Sequence, residues 1–329
     1  MYISAVAKEL QNLPHRFDTV FFGGGTPSLL SAADFEKLFG ALDGKLTETA
    51  EITIESNPAD LTAEYLSDLK RLTPINRLSV GVQSLNDNTL NFLGRRHTRE
   101  QAAEAIEKIK AAGFDNFSVD FMIGLPNETE KDIENMLLFA EKYDIPHLSA
   151  YLLKVEENTP FYKTGVADLL DEDKVSDSFS LFSRLAGEKG YSHYEISNFS
   201  KNGYECKHNL KYWRCEEYLG IGPAAHSFLD GKRFSVPKDT EKYVSAILNS
   251  LSPYTDFQDG GDESERLMLS LRLKEGVRLS TLSEDRRNII LKKAPMLVNA
   301  GYIEISNDIL SITEKGFLLS NSIICELIF

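Results

Sequence analysis

Five short runs rich in β-branched and aromatic residues, DTVFF, EITIES, RLSVGVQ, NFSVDFMIGLP and HLSAYLLKV, alternate with stretches of helical periodicity: ADFEKLFGAL, AEYLSDLKRL, REQAAEAIEKIKAAG and EKDIENMLLFAEK. A helix between successive strands is what a right-handed crossover needs, so the pattern predicts a parallel sheet covered by helices. Open and barrel-shaped sheets of this kind both place ligands at the carboxyl ends of their strands. Polar residues gather at those ends here: Gly23 to Thr26, then Glu55-Ser56-Asn57, then Gln83-Ser84, then Asp120. Packing alone does not call for such a series.

The first of these ends reads FFGGGTPS. Three consecutive glycines cost chain entropy, so at a strand end they mark a tight turn or a close approach of a ligand to main chain. The stretch lacks the Lys-Ser/Thr of a P-loop and does not meet the G-x-G-x-x-G spacing, so neither familiar phosphate cradle applies.

With 329 residues, 42% of them hydrophobic, the chain can bury one large core and a second small one, and two domains are expected. After about residue 155 the βα pattern loosens. An acidic helix over 171–188 leads into YSHYEISNFSKNGYECKHNLKYWRC, which has no clear period and reads as strand and loop. Residues 1–230 form the first domain on this reading, 231–261 a connector and 262–329 a C-terminal domain. The last begins with helices, continues into two alternating strands around the turn pair Asn307-Asp308 and ends in a helix, an order like that of a winged helix. A net charge of −14 with no basic patch argues against a nucleic-acid partner, so a lid or packing module is expected. No apolar run is long enough to insert into a membrane, and the opening MYISAVAKELQNL is unlike a secretory signal. Cys206, Cys215 and Cys325 are too few and scattered for a disulfide framework, which fits a cytoplasmic location.

In order along the chain, GGGTPS, IESNP, SVGVQSLND, FLGRRH and SVDFMIGLP resemble the radical S-adenosylmethionine enzymes of the oxygen-independent coproporphyrinogen III oxidase group. The later HNLKYW resembles the motif of their HemW-type haem-chaperone branch. The resemblance implies an α/β fold, an incomplete (β/α)6 barrel with S-adenosylmethionine across its strand ends, followed by a small C-terminal domain. That ligand carries an ammonium, a carboxylate, ribose hydroxyls and a sulfonium, so it needs acceptors, one cation and approachable backbone. By motif position, Gly24, Gly25 and Thr26 would receive the methionine amino group through main chain, and Arg95 would clamp the carboxylate with its planar fork. Glu55, Gln83 and Asp120 would hold the ribose and amino acid parts. Taken singly, Glu55 reads equally as a loop cap, Asp120 as a buried partner for a helix and Arg95 as a solvated helix end.

The family also uses a C-x-x-x-C-x-x-C loop, whose thiolates hold a 4Fe–4S cluster. No cysteine precedes Cys206 here. That loop follows the first barrel strand and precedes a helix like YISAVAKEL, so strand and loop are expected to be missing together. A truncated reading frame is favoured over an evolved cluster-free form, and DTVFF is left as a sheet edge. The cluster is expected in a full-length form only, and without it the chain is not expected to cleave S-adenosylmethionine. HNLKYW implies haem contact, with His208 as axial iron ligand and Tyr212 and Trp213 as flat apolar walls. His193 and His226 are rival ligands, and a packed aromatic segment with a hydrogen-bonded histidine is the plain alternative. A zinc site of Cys206, His208 and Cys215 lacks a fourth ligand and any C-x-x-C pair. The implied function is haem binding and delivery to an accepting protein. Its alternatives are a coproporphyrinogen III dehydrogenase acting on porphyrin propionates, and an inactive remnant that only binds a partner.

Overall fold

The computed structural model describes residues 1–157, 160–163, 165–169 and 171–328. Helix α1 (Tyr2–Asn12) leads into β1 (Phe17–Phe22), α2 (Ala32–Ala41), β2 (Leu46–Ser56), α3 (Ala63–Leu72) and β3 (Arg77–Gln83). Helices α4 (Asp87–Phe92) and α5 (Arg99–Ala111) then precede β4 (Phe117–Ile123), α6 (Glu130–Lys142) and β5 (His147–Leu152). Local chemistry starts the crossover helices: Ser31 with Asp34, Thr98 with Gln101 and Thr129 with Asp132 form capping boxes, each satisfying otherwise orphaned N–H groups.

The five strands pair in parallel in sequence order. After α7 (Pro160–Lys163) and α8 (Glu172–Glu188), the short strand β7 (Asn198–Ser200) pairs antiparallel with β5, and β6 (Ser192–Glu195) pairs antiparallel with β7. The resulting seven-stranded sheet, ordered β1-β2-β3-β4-β5-β7-β6, curls into a half-barrel. Its two faces differ. Ile52, Ile54, Leu78, Val80, Val82, Val119, Phe121 and Leu148 are almost fully buried in the main hydrophobic core. The alternate positions carry Glu51, Thr53, Glu55, Arg77, Ser79, Asp120, His147 and Ser149, so the opposite face is polar.

The aperiodic stretch read as strand and loop contains the β6–β7 hairpin and a further helix, α9 (Lys207–Trp213), over the HNLKYW segment. Seven residues are too few for a visible period, and α9 draws its N-terminal cap from the distant Glu51: the Lys207 and His208 N–H groups donate to its carboxylate at 3.2 and 3.1 Å. Beyond it, β8 (His226–Leu229), β9 (Lys232–Ser235) and β10 (Thr255–Asp259) form a second, three-stranded antiparallel sheet, with α10 (Thr240–Leu248) between β9 and β10 in sequence and packed against α1. The last part holds α11 (Glu263–Ser270), β11 (Val277–Arg278), α12 (Glu284–Asn299), β12 (Ile303–Ser306), β13 (Ile309–Ile312), α13 (Glu314–Phe317) and α14 (Ser320–Ile328). Asn307 and Asp308 turn the β12–β13 hairpin with φ of +50° and +68°, the conformation that Asn and Asp tolerate best after glycine. Among the described residues no helix is long and apolar enough to cross a membrane.

Candidate functional site

The sequence motifs meet at the carboxyl ends of the strands because they hold one another there. The Gly24 N–H donates to Glu55 Oε2 at 3.1 Å, fixing the glycine turn to the end of β2. Ser28 donates to Asp60 at 2.8 Å, and Arg96 reaches both Asp60 oxygens at 3.0 Å, which ties GGGTPS and FLGRRH to the loop after IESNP. His97 is buried, with Nε2 2.9 Å from the Val82 carbonyl, and Arg95 Nη2 donates to the Gly81 carbonyl at 2.9 Å.

Gly24 and Gly25 have φ of +74° and +68°, and a side chain at either would project into open space. Glycine adopts this backbone at least cost and leaves the main chain of the turn uncovered by a side chain. Gly23 has a different reason: a Cβ there would lie 2.8 Å from the Phe21 ring and 3.2 Å from Glu55. Thr26 closes the turn ahead of a short 3-10 turn over Pro27–Leu29.

Three side chains at this shelf have spare capacity. Arg95 Nε is buried without a partner. Burial and the neighbouring Arg96 lower the Arg95 pKa, against the pull of Asp120. Asp120 accepts from Ser79 Oγ at 2.9 Å, while its Oδ1 lacks a hydrogen bond of standard geometry. Burial raises the Asp120 pKa, opposed by the hydroxyls of Ser149 and Ser79 and by Arg77 and Arg95. Burial also raises that of Glu55, against the Gly24 amide and together with Asp120. Gln83 takes φ +68° at a register shift in β3, lifting its side chain over the Gly81 backbone. One cation, two carboxylates, an amide and an open glycine turn thus converge, a donor set that fits a ligand with an ammonium, a carboxylate and hydroxyls. Asp120 lies inside β4 rather than at its end.

Helix α9 forms the second part of the site. Its N-terminus plugs the polar face of the sheet, where Glu51 caps it, Cys206 Sγ lies 3.6 Å from Glu51 and the Cys206 N–H donates to the Tyr194 hydroxyl at 3.1 Å. Arg77, 2% exposed, sits beside Glu51 and Cys206. The His208 ring stacks on Phe21 at 5.1 Å between centroids. Its Nδ1 lies 2.8 Å from Thr19 Oγ1 and its Nε2 2.8 Å from the Tyr212 hydroxyl. Burial, then Lys211 and Arg77, push the His208 pKa down to about 4, with Asp18 opposing, so the ring is neutral at neutral pH. Lys211 bridges Asp18 at 2.8 Å and Glu216 at 2.9 Å. Consecutive strand residues point to opposite faces, so a helix that engages both Asp18 and Thr19 lies across the free edge of β1 and guards it.

Tyr212 lies one turn beyond His208 and is half exposed, with its ring edge-on to Tyr218 at 4.5 Å. Trp213 faces another way, hydrogen-bonded to Glu195 and 5.7 Å from the Arg272 guanidinium. Of the other histidines, His193 is buried, stacked on Phe199 at 4.1 Å and bonded to Glu314 at 2.8 Å, while His226 is exposed on β8. Cys206 and Cys215 are buried, Cys325 is exposed, and among the described residues no group of three or more metal-ligating side chains comes together. These cysteines do not fit the thiolate set of an iron–sulfur cluster. Thr19, Phe21, Glu51, Arg77 and Gly81 escaped the sequence reading, although the polar alternation of EITIES and RLSVGVQ carried a signal for the middle strands.

A parallel half-barrel with a ligand shelf on its strand ends defines a protein of the Radical SAM superfamily, whose model matches residues 1–140, and the HemN C-terminal domain model matches residues 264–319. The solved coproporphyrinogen III oxidase HemN from Escherichia coli has the same fold, with a TM-score of 0.83 at 19% identity over 99% of this chain and 82% of that one. Three curated proteins named heme chaperone HemW align over nearly the whole length. Those of Bacillus subtilis (33% identical, 98% of this chain, 89% of the relative) and Lactococcus lactis (32%, 98%, 88%) are joined by that of Escherichia coli (34%, 93%, 82%). The chain belongs to the HemW family.

Proposed function

We propose that this protein is a haem chaperone: it holds haem against α9 through His208 and passes it to an accepting protein, on a scaffold whose strand ends bind S-adenosylmethionine. The observation that carries the reading is the state of His208, a neutral imidazole stacked on Phe21 at the start of HNLKYW, in a chain whose relatives carry the name of haem chaperones. Neutral imidazole is a common iron ligand, and Tyr212 beside it offers an apolar surface for the macrocycle edge. Trp213, turned toward Glu195, would line the far end of the helix rather than the same wall.

On this reading Gly24, Gly25 and Thr26 receive the methionine amino group, Arg95 its carboxylate, and Glu55, Gln83 and Asp120 the remaining polar groups. S-adenosylmethionine would there complete the hydrogen bonding of Arg95 Nε and Asp120 Oδ1. Phe21 touches both halves of the site, with His208 on its face and the bare Gly23 against its edge, so the two ligands would share a wall. Cleavage of S-adenosylmethionine is not assigned to these residues, because Cys206, Cys215 and Cys325 offer no cluster cradle. Three free cysteines and an acidic composition support a cytoplasmic site of action.

The test is a haem titration followed by absorbance. The chain is expected to bind haem, His208→Ala to shift the spectrum and weaken binding, and Cys215→Ala to do neither. Superimposable wild-type and His208→Ala spectra would return the histidine to a packing role.

A further inference from the structure

Both nitrogens of the His208 ring are engaged within the protein, Nδ1 with Thr19 and Nε2 with Tyr212, each at 2.8 Å. A neutral imidazole has one donor and one acceptor nitrogen, so one of the two hydroxyls occupies its lone pair. Nδ1 faces the buried Thr19 on β1, and Phe21 covers the ring face. Nε2 faces Tyr212, which is 36% exposed, so that is the side open to a large planar ligand.

We infer that Tyr212 is a gate on His208: its hydroxyl holds Nε2 while no haem is bound, must swing away before the ring coordinates iron, and returns to compete for Nε2 during release. The inference rests on the reading of His208 as the haem ligand and adds to it a device for letting haem go. Thr19 completes it. By accepting the Nδ1 proton, Thr19 places the lone pair on Nε2, the nitrogen that iron needs and that Tyr212 guards. The two gate residues lie at i and i+4 on α9, so the exchange needs only a side-chain rotation.

Ferric haem is titrated into wild type, Tyr212→Phe, Thr19→Val and His208→Ala, with the Soret band as readout, and transfer to excess apomyoglobin is timed for each. Tyr212→Phe keeps the ring and its contact with Tyr218 but loses the competing hydroxyl. The inference expects it to bind haem about fivefold more tightly, the worth of one ordinary hydrogen bond, and to transfer it correspondingly more slowly. Thr19→Val is expected to bind more weakly, and unchanged affinity there would overturn the tautomer role of Thr19. Equal or weaker binding by Tyr212→Phe, with His208→Ala still losing the Soret shift, would overturn the gate and leave the haem site standing. A His208→Ala spectrum identical to wild type would remove the haem site and the gate together.

Discussion

At Gly81 the backbone of β3 is approached by two side chains at once: a Cβ would meet Gln83 Nε2 at 2.8 Å and Arg95 Nη2 at 3.0 Å. Gly81→Ala therefore displaces Arg95 from the Gly81 carbonyl without touching any ligand. Part of a charged hydrogen bond in a partly desolvated pocket is at stake, so S-adenosylmethionine affinity is expected to fall about tenfold by calorimetry. Equal affinity would mean that Arg95 does not clamp the ligand. His208 makes a second prediction at this scale. The groups around it are Lys211 and Arg77, which disfavour its charge, Asp18, which favours it, and the neutral hydroxyls of Thr19 and Tyr212. Its folded pKa of about 4 lies below the usual ~6.5, so the stability held in the neutral ring is complete above ~6.5 and is lost as pH falls through about 4. Haem affinity through this ring is then expected to stay level from about pH 8 to about pH 5 and to fall near 4. A dissociation constant that doubles near pH ~6.5 would contradict the assignment of this histidine.

Helix α9 owes its existence to a residue 156 positions before its first one, since Glu51 receives the Lys207 and His208 N–H groups and lies 3.6 Å from the Cys206 thiol. Glu51→Ala strands two helix-end donors and removes one of the acidic groups that favour the charge of the buried Arg77 guanidinium. A loss of about 3 kcal/mol is expected in urea unfolding, together with a weaker haem complex. A loss below about 0.5 kcal/mol would show that α9 is held by its other contacts. This long-range cap explains why the helix was illegible in the sequence while the crossover helices were plain: Ser31, Thr98 and Thr129 carry their capping partners three residues away. The parallel strands were equally legible, as was the Asn307-Asp308 hairpin, because each rests on local pattern. The polar lining was half legible. Parallel strands under two covers usually read as continuous apolar runs, so Glu51, Thr53 and Glu55 alternating with Ile52 and Ile54 marked a face given over to something other than packing. Which strand-end residues converge depended on pairings such as Arg95 with Gly81 and Arg96 with Asp60, which only the folded chain brings together.

Across the whole molecule, the C-terminal helices and hairpin are joined to the half-barrel by polar knots around α9. Arg214 forms a two-point pair with Glu275 at 3.0 and 3.1 Å, Arg272 lies over Trp213, and Glu314 gathers His193, Ser183 and Lys274. Burial works against the Glu314 charge, yet the hydrogen bond from His193, with Ser183 and Lys274, holds its pKa at about 2. A carboxylate whose folded pKa is depressed contributes stability above its ordinary value of 4.5, lost as pH falls through about 2. Glu314→Gln is thus expected to be less stable than wild type near neutrality, with the gap closing between about pH 4.5 and about pH 2 in denaturant titrations. A gap that stays constant would place the contribution of Glu314 elsewhere than in its charge. These knots fix the helix that would carry haem, and on the proposed reading haem delivery would turn on one bond, from iron to the His208 imidazole. Resonance Raman spectra of the ferrous haem complex test that bond most directly. An iron–imidazole stretching band is expected in wild type and in Cys215→Ala and is expected to disappear in His208→Ala; the same band in all three proteins would contradict iron ligation by His208.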